Sequence, residues 1–211
     1  MLTIYFARHG ETPCNLRDVM CGAGCDAELT PRGMEMAQAL AAHCKTIHWK
    51  SIYSSALQRA RTTASTVAQS CGMRVTIDPR WNEIDYGEWD GKSPGELREK
   101  DSQFRGFRDD PGSFFTPAGE SIRRVSERAM QALDAIRGRH ADGPVLVVSH
   151  KTTLRLLLCR LLGIDVRHYR SRLAAPSGSM TVVEFDDRGP RLLTLGNREH
   201  LPARLRTHQI Q

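Results

Sequence analysis

Val145-Leu146-Val147-Val148 is an unbroken apolar run with no polar residue at alternate positions. A strand of this kind cannot turn either face to water. It predicts a central strand covered on both sides, as in sheets of parallel strands with helices above and below. Further short β-like runs fall at 2–6, 51–53, 74–77, 180–185 and 192–195. Helical patterns lie between them. Thr30-Pro31 offers an N-cap and a proline at the first helical position, followed by Met36, Ala37, Leu40 and Ala41. The stretches 55–69 and 120–139 each carry an apolar stripe, and 154–162 reads as a buried helix. Strands alternating with helices mean βαβ units. The last two runs, joined by Asp186-Asp187-Arg188-Gly189-Pro190, read as an antiparallel hairpin at one edge. The expected fold is α/β, a three-layer αβα sandwich with a mostly parallel sheet and an antiparallel edge.

The 211 residues suit one domain, 1–211, with no repeat or linker. One region differs. Residues 86–118 are rich in Gly, Pro, Asp and Phe and predict one short helix at most, near 94–100. A long insert of this kind is expected to be a lid or binding loop.

Lys and Arg exceed Asp and Glu to give a net charge of +6, mostly from scattered arginines. That balance suits anionic ligands, but no nucleic-acid-binding motif accompanies it, so no nucleic acid partner is expected. No segment reaches the roughly 18 apolar residues of a membrane span, and the first residues lack a secretory leader. The expectation is a cytoplasmic protein with no membrane partner. The cysteines, Cys14, Cys21, Cys25, Cys44, Cys71 and Cys159, have no framework spacing and read as free thiols. Cys14, Cys21 and Cys25 fall close together but lack the paired knuckles of a zinc site, so no metal is expected.

In open α/β sheets, ligands bind past the carboxyl ends of the strands. Arg8 and His9 follow the first run, and Arg59 lies one turn into the helix after the second. Glu83 follows the third, and His150 and Lys151 follow the apolar tetrad. A phosphomonoester is a dianion that two arginines can grip with forked hydrogen bonds. A neutral imidazole is a nucleophile near pH 7, and an adjacent arginine holds its proton off. A carboxyl group can protonate the leaving oxygen and then activate water. Glu83 has acidic rivals for that part in Asp85 and Glu88. Walker A, dinucleotide-binding and HExxH patterns are missing, so nucleotide-driven transfer, hydride transfer and zinc hydrolysis have no support.

The segments RHGET (8–12), LTPRGMEMAQAL (29–40), SSALQRARTTA (54–64), NEIDYGEWDG (82–91), PAGES (117–121) and VVSH (147–150) together resemble the histidine phosphatase superfamily. The branch is that of phosphoglycerate mutase-like proteins. The resemblance spans about three quarters of the chain and implies the phosphoglycerate mutase-like form of the sandwich. It makes His9 the nucleophile, Arg8, Arg59 and a protonated His150 the phosphate pocket, and Glu83 the acid and base. Asn15 would donate to the phosphate, and Gly10 would let the backbone approach it.

Departures from the family pattern carry their own expectations. Lys151 follows the late histidine where relatives have a small residue, and is a candidate for a second anionic group. A small thiol, Cys14, stands where relatives often carry a large ring. The insert is short, which favours water over a second substrate. Its Arg105 or Arg108 is expected to meet a further substrate charge, and at least two of Phe104, Phe107, Phe114 and Phe115 to dock it.

The implied activity is that of a histidine acid phosphatase-type hydrolase. It would cleave a small phosphorylated metabolite through a phosphohistidine, with no metal and no cofactor. The alternatives are a bisphosphoglycerate-dependent mutase and a non-catalytic anion-binding module. A homodimer is left open.

Overall fold

The computed structural model describes residues 1–112 and 116–207. Its six-stranded sheet has the order β3-β2-β4-β1-β5-β6. The strands are β1 (Leu2–Arg8), β2 (Ser51–Ser54), β3 (Val75–Ile77), β4 (Gly143–Ser149), β5 (Met180–Asp186) and β6 (Gly189–Asn197). β1, β2, β3 and β4 pair in parallel, and β5 and β6 add antiparallel neighbours beyond β1.

β4 sits in the middle, and all four residues of its apolar tetrad are 0% exposed. Val145 and Val147 face one layer, with Ile4, Phe6, Val183 and helices α6 (Ile122–Arg139) and α7 (Lys151–Leu162). Leu146 and Val148 face the other, with Ile52 and helices α2 (Pro31–Cys44) and α3 (Gln58–Ser70). The period of two along one strand thus feeds two cores. The sandwich read from the sequence is the one observed.

Thr30 caps α2 by accepting from the Gly33 N–H at 2.9 Å, and donates to Glu11 Oε1 at 2.9 Å. Glu11 is therefore a strap between the first strand's end and α2. Gly10 completes this contact. A Cβ there would lie 2.3 Å from the Gly33 carbonyl oxygen. Gly10 thus permits a close approach of the chain to α2.

The insert is more ordered than its composition suggests. It holds two helices, α4 (Pro94–Lys100) and α5 (Ser102–Asp109), where one at most was expected. Asp101 starts α5 by accepting from the Phe104 N–H at 3.0 Å. Phe104 and Phe107, one turn apart, then bury against Trp89, with ring centroids at 5.2 Å for each. This satisfies the docking expectation for those two. Phe114 lies outside the described residues, as does Phe115.

With Phe104 and Phe107 fully buried, the insert is part of the main core. Phe104→Ala should cost about 3–5 kcal/mol and lower Tm by roughly 10 °C, read by thermal unfolding. A loss below about 1 kcal/mol would mean that the insert docks only loosely.

Candidate active site

β1 and β4 run in register, with Arg8 opposite Ser149. The next residues, His9 and His150, therefore leave adjacent strands side by side, with ring centroids 5.0 Å apart. From β1 the chain goes to the α2 face of the sheet, and from β4 it goes to the α7 face. That divergence opens a crevice at the strand ends.

His9 Nδ1 lies 2.7 Å from the Gly10 carbonyl oxygen. A carbonyl only accepts, so Nδ1 carries the hydrogen and Nε2 keeps its lone pair. Burial, then the charges of Arg59 and Arg8, hold His9 well below the ordinary histidine pKa. The imidazole is thus neutral and nucleophilic at physiological pH.

Arg59, 1% exposed, reaches in from α3. It donates to the Cys25 carbonyl at 2.6 Å, to the Gly22 carbonyl at 3.0 Å and to His150 Nδ1 at 3.3 Å. Since Arg59 donates, the His150 hydrogen sits on Nε2, which bonds Ser55 Oγ at 2.6 Å. Both ring nitrogens of His150 are engaged by the protein. Burial and the surrounding cations, Arg59 first, hold His150 neutral too. The residue stands behind His9 and steadies Arg59.

Arg8 donates to the Ala175 carbonyl at 2.8 Å, and its buried Nε has no hydrogen-bond partner among the described residues. Burial brings its pKa down to about 10, so it stays cationic at neutral pH.

Glu83 is aimed by the start of α7. Its Oε1 accepts from the N–H groups of Ile84 and Thr153 and from Thr153 Oγ1, at 3.0, 3.1 and 3.2 Å. Its Oε2 accepts from the Thr152 N–H at 3.0 Å. Arg128 fixes the loop from below, donating to the carbonyls of Arg80, Asn82 and Glu83 while paired with Glu120. Of the three rival acids only Glu83 lines the pocket. Asp85 instead accepts from the Gly87 N–H.

The pocket measures about 430 Å³ and is lined by His9, Glu83 and Asn15 among others. Asn15 Oδ1 accepts from the Thr12 N–H and hydroxyl at 2.9 and 3.1 Å, which fixes the amide's orientation. Beyond Arg8 and Arg59, the walls carry Arg98, Arg108, Lys151, Arg155 and Arg170, against the carboxylates of Asp18 and Glu83. Burial, helped by Arg8 and Arg155, pulls Lys151 down to about 7.

Arg105 is not among the lining residues. It is exposed and donates to the Arg98 carbonyl on the outer face of the insert, because α5 turns Phe104 inward and its neighbour outward. Arg98, Arg155 and Arg170 were missed by the sequence reading. Arg155 follows Lys151 by four residues and so shares its helix face, a signal that was available. Arg170 is set by stacking over Phe107, 4.5 Å from the ring centroid, which only the fold reveals.

This sheet, its crevice and its paired histidines among arginines define a cationic, histidine-bearing pocket in a phosphoglycerate mutase-like architecture. Residues 4–198 match the histidine phosphatase superfamily (branch 1). Phosphoserine phosphatase 1 of Hydrogenobacter thermophilus is 32% identical over 202 residues, covering 95% of each chain. "Probable phosphoglycerate mutase GpmB" of Escherichia fergusonii is 32% identical over 213 residues, covering 96% of each. The solved structure of Bacillus stearothermophilus YhfR superposes with a TM-score of 0.88 at 30% identity, over 95% of this chain and 99% of that one. The chain belongs to branch 1 of the histidine phosphatase superfamily. The superfamily and the phosphatases among these relatives support a small-molecule phosphatase. Among the described residues, no helix is long and apolar enough to cross a membrane.

Proposed function

We propose that the protein is a metal-independent phosphomonoesterase working through a phosphohistidine on His9, with a substrate whose alcohol half is itself anionic. The observation that carries the first part is the His9 Nδ1–H bond to the Gly10 carbonyl. It leaves Nε2 as the nucleophile among Arg8, Arg59 and Glu83. Arg8 and Arg59 grip the phosphoryl oxygens and meet the charge of the transition state. Asn15 donates to the same group. Glu83 protonates the leaving oxygen and then draws a proton from the attacking water. His150 orients Arg59. A dianion beside it would favour the imidazolium, reversing the field that the arginines impose alone.

The second part rests on the outer cations. Arg98, Arg108, Lys151, Arg155 and Arg170 far exceed what one phosphate needs. Arg155 Nε is buried with no hydrogen-bond partner among the described residues, which is costly unless a ligand meets it. Phosphoserine and phosphoglycerate, in the relatives' names, each carry a carboxylate besides the phosphate. A cytoplasmic setting belongs to this reading and suits the free cysteines.

The test is release of inorganic phosphate from esters graded in charge, with EDTA present. Carboxylated or doubly phosphorylated esters should surpass neutral sugar or aryl phosphates in kcat/KM by roughly 10–100-fold, and EDTA should change nothing. Loss of activity in EDTA, or no charge preference, would contradict the corresponding part. Interconversion of phosphoglycerates without net phosphate release would favour the mutase.

Lys151 adds a pH signature. Its cationic form prevails below about 7 and is lost above it. For an anionic ester, kcat/KM, which reports the free enzyme's titrations, should decline as pH rises through about 7. Lys151→Met should abolish that limb. A wild-type profile without it would remove Lys151 from substrate binding.

A further inference from the structure

The three thiols that fall close together in the sequence are also brought together in space, beside the pocket. Cys14 lies on α1 (Pro13–Arg17), and Cys21 and Cys25 lie on the loop that follows. One sulfur from each falls within 4.8 Å of the others, and the Cys14 and Cys25 sulfurs are 3.4 Å apart. Cys14 is buried, while Cys21 and Cys25 are half-buried, and Cys21 lines the pocket.

Apart from Cys21 Sγ, which donates to the Cys25 carbonyl at 3.4 Å, the loop is held by groups other than the sulfurs. Asp90 accepts the N–H groups of Gly22 and Gly24 at 2.5 and 3.0 Å. The Ala23 N–H donates to the Ile84 carbonyl at 3.0 Å, and Arg59 binds the carbonyls of Cys25 and Gly22. The glycines are needed for this fit. A Cβ on Gly22 would lie 2.3 Å from the Ile84 oxygen, and one on Gly24 2.7 Å from Asp90 Oδ2. Backbone, carboxylate and guanidinium contacts therefore set the geometry, and the thiols converge on it already oriented.

We propose that Cys14, Cys21 and Cys25 form a three-thiolate site for a soft divalent cation of the zinc class, at the rim of the phosphate pocket. Zinc–sulfur bonds of about 2.3 Å put thiolate sulfurs roughly 3.8–4 Å apart. The sulfurs here all lie within 4.8 Å of one another, with those of Cys14 and Cys25 at 3.4 Å, so small side-chain rotations suffice. Thiolates select soft ions over magnesium or calcium. On binding, three S–H bonds break, three protons leave to solvent and three sulfur–metal bonds form, with no change of oxidation state. Three thiolates and one divalent ion carry a net charge of −1. The neighbouring Arg59 guanidinium offsets it, whereas a monovalent ion would leave −2 against one cation. The fourth position falls to an exogenous ligand on the half-exposed side. The site shares Arg59 with the phosphate pocket, but metal binding by the thiols does not rest on the reading given for that pocket.

The test is titration of the reduced, metal-free protein with cadmium chloride under anaerobic conditions. The readout is sulfur-to-cadmium charge-transfer absorption, with zinc chloride as competitor. The expected result is saturation at one equivalent and displacement by zinc. Cys21→Ser or Cys25→Ser should weaken binding by more than the 10–100-fold typical of losing an outer-shell partner, while Cys44→Ser should bind as the wild type. X-ray absorption of the zinc-loaded wild type should count three sulfur neighbours, a readout that no folding defect of a variant can imitate. Absorption that fails to saturate at one equivalent, survives unchanged in Cys21→Ser, or comes with fewer than three sulfurs would overturn the proposal. So would isolation of a Cys14–Cys25 disulfide whose reduced form takes up no cadmium.

Discussion

His9→Ala should lower kcat for phosphate release by roughly 10⁴–10⁶-fold, as loss of a nucleophile does elsewhere, and leave the fold intact. The size follows from the division of labour in the pocket. Arg8 and Arg59 are positioned by the Ala175, Cys25 and Gly22 carbonyls rather than by His9. The variant should therefore still bind inorganic phosphate with near wild-type affinity while failing to turn over. His9 is 4% exposed, and among the described residues the hydrogen bond its ring makes is to its neighbour's carbonyl. Thermal unfolding should shift little for that reason. Retention of more than about a hundredth of the wild-type kcat, a general acid–base effect rather than a nucleophile's, would move the attacking group elsewhere.

The second large effect is expected at Glu83. Its Oε1 receives three donors, and its Oε2 receives one. Oε2 is thus the oxygen with capacity to carry a proton to the leaving group. Glu83→Gln should lower kcat by roughly 10²–10⁴-fold for alkyl phosphates, whose alkoxide needs that proton. An aryl phosphate with an acidic phenol should suffer far less in its first step. The amide also brings an N–H against donors that the carboxylate accepted, most simply at the Thr152 N–H. A stability loss of about 1–3 kcal/mol should accompany the substitution. Stability alone cannot produce a leaving-group dependence, so the two effects separate. Equal loss on both classes of ester would deny Glu83 the acid's part.

Much of this was open to a reader of the sequence, for identifiable reasons. The tetrad at 145–148 and the Thr30-Pro31 start are local signals, and local physics decided them. His9, Arg59, Glu83 and His150 were found together because ligands gather at strand ends and the motifs fall there in order. What stayed hidden depends on side chains meeting across the fold. α5 was passed over because its composition looked like loop, although Asp101 with Phe104 and Phe107 is a capped, one-sided turn. Arg105 and Arg108 were indistinguishable until helix phase put one outside and the other on the wall. The depressed pKa of His150 arises first from burial and then from the charge of Arg59 on a distant segment. The thiols of Cys14, Cys21 and Cys25 meet on a loop bound by Asp90 and Arg59 from distant segments.

The central claim is a covalent phosphate on His9 Nε2. The direct measurement is rapid acid-free quenching of the enzyme during turnover of a ³²P-labelled ester, followed by peptide mapping. The account predicts a base-stable, acid-labile phosphate on the peptide containing His9, formed fast enough to precede phosphate release and missing in His9→Ala. Turnover with no labelled enzyme, or with label on another residue, would contradict it.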